Sequence, residues 1–231
     1  MKSIGFITAL ADEARSLNLS DNRNSANREH HVEVAGVGIK NASQAAIRLL
    51  DRGVEGLVSW GTAGALDPSL RPGSLVIYNT VRTISGSDYP CDPAWRAELI
   101  RALSALNPID GSGFTSEHVL ATTAEKAKIG EQFDCVALDM ESAAVGSHAS
   151  AAGIPYVAIR VIVDPVDFDL PQAALNGLAS GGEPSVWPVI RGLMRRPHEL
   201  PALLKLARWY QTSRANLAAT ANSLRPNFGM D

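Results

Sequence analysis

"CVALDMESAAVGSHASAAGIPYVAIRVIVD" (residues 135–164) is the stretch on which the fold turns. "CVALD" (135–139) is a short apolar run that reads as a strand. "ESAAVGSHASAAG" (141–153) is built from small helix formers and stops on Gly153, a residue suited to a helix C-terminus. "PYVAIRVIVD" (155–164) is the longest near-continuous apolar strand in the chain. Strands without polar alternation, joined through helices, imply a mainly parallel sheet covered on both faces.

The same alternation extends outward. "IGFITA" (4–9), "HVEVAGVG" (31–38), "GLVSWG" (56–61) and "SLVIYNTVRT" (74–83) read as strands. "KNASQAAIRLLD" (40–51) places Ala42, Ala45, Ala46, Leu49 and Leu50 at helical spacing. "DPAWRAELIRALSAL" (92–106) opens with an Asp cap and a Pro at the first helical position. "NLSDNRNSANREH" (18–30) is a polar surface loop. From Pro165 to Pro201 the chain is rich in Pro, Gly and Ala, and 200–224 is a long helix with a stripe of Leu203, Leu206, Tyr210, Leu217, Ala221 and Leu224.

Composition excludes several classes. The 231 residues are 45% hydrophobic and 19% charged, ordinary for one globular domain with a sizeable core. The net charge of −3 gives no basic field for nucleic acid. Cys91 and Cys135 cannot build a disulfide framework, which fits a reducing cytoplasmic setting. No run of 18 apolar residues spans a membrane. His30 and His31 lack a spaced carboxylate or cysteine partner, so no metal site is indicated.

Ligands of such sheets bind beyond the carboxyl ends of strands. There the chain places Glu13, "GTAG" (61–64), "DMES" (139–142) and Asp164. "AGVGIKNASQ" lacks the third glycine of a dinucleotide fingerprint, and "GTAGAL" lacks the lysine of a triphosphate loop. Taken alone, Asp139 reads as a helix cap and Glu141 as a first-turn acid favoured by the helix dipole. With Glu13 and Asp164 they also read as converging carboxylates, suited to acid–base work or to gripping sugar hydroxyls. A nicotinamide oxidoreductase stands as an alternative.

"IGFITALADEA", "AGVGIKNA", "WGTAGAL", "ALDMESAAV" and "IRVIVD" occur in the order of the nucleoside phosphorylase and nucleosidase superfamily, which residues 3–167 resemble. The general likeness is to methylthioadenosine/S-adenosylhomocysteine nucleosidases. "RRPHELPALLKLAR" (195–208) is similar to the tail of the hopanoid-associated phosphorylase branch.

The resemblance implies a single domain over 1–231, an α/β three-layer sandwich with a mixed, mainly parallel central sheet, and a basic C-terminal extension at about 168–231. It implies a homodimer whose partner helps close the 5′ pocket. It implies that Met140 packs on a ribose, that Glu141 binds the ribose hydroxyls, and that Asp164 gives a proton to purine N7. Glu13 would position an attacking water, Arg160 would organise that side, and Thr62, Ala63 and Gly64 would lie near sugar and nucleophile. "TSEHVLA" (115–121) would carry the base contacts, with Leu120 at an aromatic position and His118 at an acidic one.

No cofactor is implied beyond phosphate as a possible co-substrate, with Arg15, Arg82 and Arg160 as its candidate ligands; a carboxylate at Glu13 favours water instead. The branch implies adenosylhopane, a lipid-tailed adenosine, as substrate; a methylthioadenosine/S-adenosylhomocysteine nucleosidase, a general purine nucleoside phosphorylase and a non-catalytic nucleoside-binding module stand as alternatives. "IRGLMRRP" (190–197) would then form a lipid-side lip at the inner face of the membrane, while residues 202–224 read as core-packed.

Overall fold

The computed structural model describes residues 3–19, 30–178, 195–224 and 228–229. Its strands are β1 (Ile4–Thr8), β2 (His31–Val34), β3 (Gly56–Ala65), β4 (Leu75–Thr83), β5 (Asp88–Pro90), β6 (Ile109–Thr115), β7 (Ala137–Asp139) and β8 (Tyr156–Asp164). Its helices are α1 (Ala11–Leu17), α2 (Ile39–Asp51), α3 (Pro93–Ala102), α4 (Thr123–Phe133), α5 (Ser142–Ala152), α6 (Gln172–Leu178) and α7 (Leu200–Leu224). The fold is α/β, with one mixed sheet flanked by helices.

The sheet runs β2-β1-β3-β7-β6-β4-β5, and β8 pairs with both β3 and β4. Strands β3, β8, β4, β6 and β7 therefore close into a ring. Pairing is parallel for β1 with β2 and β3, for β3 with β8, and for β6 with β4 and β7. It is antiparallel for β3–β7, β4–β5 and β4–β8. β8 pairs on both sides within this arrangement, and its burial accounts for a sequence that is apolar except for Arg160 and the terminal Asp164.

Each face of the sheet has its own core. Ala42, Ala45, Ala46 and Leu49 of α2 join Ala149 of α5 over Leu57 and Ile162. Trp95 and Leu99 of α3 join Leu217 and Ala221 of α7 over Phe6, Trp60 and Val161. Phe228 completes the second core: its ring stands 4.7 Å from that of Phe6, and its carbonyl accepts from Trp95 Nε1 at 2.6 Å.

Local signals explain most element ends. Asp92 caps α3 by accepting from Trp95 N at 2.8 Å, with Pro93 in the first turn. Gly153 ends α5 at φ 68°. Strand β2 stops at Val34, short of the predicted 38, because Gly36 and Gly38 take φ of 87° and 101°. The helix predicted over 92–106 breaks after Ala102 and continues as a 3₁₀ turn, Ser104–Leu106.

α7 has two halves. Ser213, Leu217, Thr220, Ala221 and Leu224 are buried on the core side. Ser213 Oγ donates to Ile162 O at 2.6 Å and Asn216 Nδ2 to Gly73 O at 2.8 Å, which fastens the helix to β8 and the turn before β4. Among the described residues, no helix is long and apolar enough to cross a membrane.

Leu217 is fully buried, so Leu217→Ala should lower the unfolding free energy by about 2–5 kcal/mol in a denaturant titration. A loss below about 1 kcal/mol would show that the second half of α7 is not part of the core.

Candidate active site

A cavity of about 770 Å³ opens where β1, β3, β7 and β8 end, a volume within the range of small-molecule sites. Glu13, Thr62, Ala63, Gly64, Leu120, Met140, Glu141, Arg160 and Asp164 all line it. The strand ends do not share one edge, as the sequence suggested. β7 runs against β3, and the pairing of Leu138 with Gly64 brings Met140 and Glu141 to the cavity from the opposite direction.

Glu13 is 2% exposed. Its Oε1 accepts from Thr62 N and Thr62 Oγ1, both at 2.8 Å, and its Oε2 from Ala9 N and Leu10 N, both at 3.1 Å. Four donors fill a carboxylate's capacity. A Cβ on Gly61 would come within 2.9 Å of this carboxylate, so glycine there is a condition of the arrangement. Burial pushes the Glu13 pKa up, against the Thr62 hydrogen bonds and Arg160.

Asp139 ties the loop before α5. Its Oδ1 accepts from Glu141 N (3.1 Å), Ser142 N (3.0 Å) and Thr115 Oγ1 (2.9 Å). Its Oδ2 accepts from Ser142 Oγ (2.5 Å) and Arg160 Nε (3.0 Å). It is thus a cap and also half of a buried ion pair. Glu141 sits at the cap position itself rather than inside the first turn.

Glu141 Oε1 accepts from Gly38 N at 2.8 Å across 103 residues of sequence. Burial, with the Asp139 charge next, pushes its pKa to about 7 against the pull of Arg160. Gly38 takes a positive φ at this approach, which suits a residue without a Cβ.

Arg160 is 2% exposed, and its guanidinium is occupied. Besides Asp139 it donates from Nη2 to Ser59 Oγ (2.6 Å) and Ser142 Oγ (2.8 Å), and from Nη1 to Ile159 O (3.3 Å). It forms the floor behind Glu13 and Glu141, supplying positive charge to both.

Asp164 ends β8 beside Gly64, where a Cβ would lie 3.2 Å from the carboxylate. Burial pushes its pKa up, and Lys126 pulls the other way by charge and hydrogen bond. Lys126 Nζ donates to Asp164 Oδ2 at 2.6 Å. The sequence reading missed this lysine, although Thr122 and Glu125 form the capping box that announces α4.

Three other candidates lie elsewhere. Arg15 is exposed and pairs with Asp12. Arg82 donates to Phe133 O and Asp134 O at the end of α4. His118 exchanges backbone hydrogen bonds with Ser116 Oγ. None of the three lines the cavity. The wall facing the acids comes instead from the first half of α7, where Leu200, Leu203, Leu204, Leu206, Ala207 and Tyr210 stand. That half of the predicted core helix is therefore a pocket wall. The "IRGLMRRP" lip lies largely outside the described residues; its end, Arg195–Pro197, leads into the 3₁₀ turn before α7.

A family model for the phosphorylase superfamily matches residues 25–178. The chain belongs to the phosphorylase superfamily. Membership carries the reaction class, cleavage of an N-glycosidic bond. A 5′-methylthioadenosine/S-adenosylhomocysteine nucleosidase of Staphylococcus epidermidis is 26% identical over 195 residues, covering 70% of this chain and 86% of that one. Its counterpart in Chromohalobacter salexigens is 28% identical over 200 residues, covering 71% and 85%. Futalosine hydrolase of Helicobacter pylori shares the fold at a TM-score of 0.74 and 15% identity, over 96% of this chain and 97% of that one. An S-adenosylhomocysteine nucleosidase of Streptococcus pyogenes does so at 0.66 and 20%, over 85% and 98%.

The raised Glu141 pKa has a consequence for this superfamily member's stability. The folded protein holds a proton there that the unfolded chain releases above about pH 4.5. The resulting penalty is absent below that pH and complete above about pH 7. Glu141→Gln keeps an acceptor for Gly38 N, so it should raise the melting temperature at about pH 8 and leave it nearly unchanged at about pH 4.5. About 2–4 °C per kcal/mol sets the scale in a chain of this size. An equal shift at both pH values would count against a buried, proton-holding Glu141.

Proposed function

We propose that this enzyme hydrolyses the N-glycosidic bond of a 5′-substituted adenosine and releases adenine. The observation that carries the proposal is the placement of three buried acids, Glu13, Glu141 and Asp164, around one cavity that is also lined by the apolar first half of α7.

Each acid has a task suited to its surroundings. Asp164, whose carboxyl is pushed by burial toward its neutral form, gives a proton to N7 as the C1′–N9 electron pair returns to the purine. Glu141 accepts the ribose hydroxyls, and its negative form stabilises positive charge developing at C1′. Met140 packs on the sugar beside it. Water attacks C1′, and its proton passes to Glu13. For that, Thr62 Oγ1 turns its hydrogen away from Glu13, a rotation about a single bond. Asp164 and Glu13 then exchange their proton difference with solvent.

Water is favoured over phosphate because, among the described residues, Arg160 is the only arginine or lysine lining the cavity, and it is already bound to Asp139, Ser59 and Ser142. A phosphate dianion would enter beside buried carboxylates with no unengaged cation to meet it.

The apolar wall supports a bulky hydrophobic 5′ substituent, with adenosylhopane as the best substrate in this reading. Leu200 and Leu204 line the cavity yet are 44% and 53% exposed, and Lys205 and Arg208 lie on the same helix. A helix that carries exposed apolar side chains at the cavity and basic ones along its length suits a lipid-tailed substrate drawn from an anionic membrane surface. The same reading includes a cytoplasmic homodimer. The likeness to the nucleosidases of Staphylococcus epidermidis and Chromohalobacter salexigens supports a second reading, in which 5′-methylthioadenosine or S-adenosylhomocysteine is the substrate.

Adenine release from purified protein decides between these. Asp164→Asn should lower kcat by at least about 100-fold, the scale of general acid catalysis. Release should be independent of added phosphate and yield free ribose product. A requirement for phosphate with a ribose 1-phosphate product would overturn the choice of water. A lipid-tailed adenosine should be turned over with higher kcat/KM than 5′-methylthioadenosine; the reverse order would favour the second reading.

A further inference from the structure

Lys126 stands in the first turn of α4 with its side chain 1% exposed. Its ammonium has three hydrogens and three acceptors: Asp164 Oδ2 at 2.6 Å, Phe168 O at 2.9 Å and Pro165 O at 3.2 Å. Lysine is among the residues least often buried, and an apolar chain of similar volume would commonly serve a core equally well. The fold alone does not call for a cation at this place. The carboxylate of Asp164 is the group that gains from it.

The lysine is also held so that it cannot swing away. Thr122 and Glu125 close the capping box of α4. Asp169 Oδ1 accepts from Thr123 N (2.6 Å) and Thr123 Oγ1 (2.8 Å), and Leu170 N donates to Ala121 O (2.8 Å). The start of α4 and the loop after β8 are thus pinned together around the ammonium.

We propose that Lys126 is a positioning residue that sets the acid strength of Asp164: it holds Oδ2, leaves Oδ1 for the base, and stabilises the carboxylate that forms as the proton leaves. The proposal rests on the assignment of Asp164 as the acid. In the step, the Oδ1–H bond breaks, N7–H forms, and the C1′–N9 pair returns to the purine. Lys126 keeps all three of its protons. Without it, the product of the step would be a buried carboxylate with no counter-charge.

The charges around Asp164 are few. Lys126 faces it from α4, and Asp169 of the following loop faces the same lysine. Glu13, Glu141 and Arg160 line the same cavity from α1, the β7–α5 junction and β8. An opposite charge this close moves a carboxyl by about 1–3 pH units. The alkaline limb of kcat/KM, where Asp164 loses its proton in the free enzyme, therefore reports Lys126.

The test compares wild type, Lys126→Met, Lys126→Arg and Asp164→Asn. Each is measured from acid to alkaline pH with 5′-methylthioadenosine or the lipid-tailed adenosine, whichever the wild type turns over. Each is also measured with 4-nitrophenyl riboside, whose leaving group departs without a proton, and melting curves verify folding.

Lys126→Met should move the alkaline limb up by about one unit or more and lower plateau kcat on the nucleoside about 10–100-fold. Turnover of the nitrophenyl riboside should stay within about twofold. Lys126→Arg should keep the limb near its wild-type position, and it carries the test if Lys126→Met does not fold: a limb displaced as far as about one unit despite the retained cation would overturn the proposal. An unmoved limb in Lys126→Met, or equal losses on both substrates, would also overturn it while leaving Asp164 in place. Nucleoside turnover that survives Asp164→Asn would overturn the acid assignment and this proposal with it.

Discussion

Arg160 and Asp139 meet at 3.0 Å with neither side chain more than 2% exposed. A buried ion pair is tolerated only where the remaining donors and acceptors are also satisfied. Here they are satisfied by Ser59 of β3, Thr115 of β6, Arg160's own β8 and Ser142 of α5. Four of the five strands in the ring contribute to one polar network. The ring can close only with these groups in register, so the same contacts that join the strands also fix the acids at their ends. Removal of either charge would leave the other buried without its ion-pair partner, a cost of about 3–5 kcal/mol.

That network also sets the electrostatics of the cavity. Glu13 and Glu141 both feel burial as the larger influence and Arg160 as a smaller opposing one. One guanidinium, already neutralised by Asp139, serves two further carboxylates. Neither is fully compensated, and both hold protons more readily than surface acids. In the reaction we propose, gripping neutral hydroxyls and stabilising a transient positive charge is served by acids that are poised rather than firmly ion-paired.

Much of the site was legible because its residues fall at strand ends, where an acid interrupts an apolar run. Glu141 taken alone reads as an ordinary first-turn acid, and it becomes a candidate only when counted with Glu13 and Asp164; the structure gathers the three around one cavity. Lys126 was not legible: "TTAEKAKIGEQF" has no strong apolar stripe, and a lysine in a polar helix reads as a surface charge. β6 was obscured by two glycines in "IDGSGFT", one of which, Gly113, faces Tyr78 so closely that a Cβ would fall 2.1 Å from its ring. The closing of the ring was invisible for a different reason. It depends on β8 pairing on both sides with strands roughly 80–100 positions earlier, which no local pattern encodes. The first half of α7 was misplaced because a helix stripe shows which face is apolar, and a cavity wall and a core contact are equally apolar.

The contact between Phe228 and Phe6 joins positions 222 residues apart, and Trp60 and Trp95 converge on the same ring and carbonyl. On the ribosome, β1 emerges long before its partner side chain. At about 5–20 residues per second, the interval is roughly 10–45 seconds. Through that time one face of the sheet lacks α7 and Phe228, and its aromatic side chains stand uncovered. The other face, built from α2 and α5, is complete by residue 164. The residues of one face are thus all made before the helix that covers the other, and the face left waiting is the aromatic one.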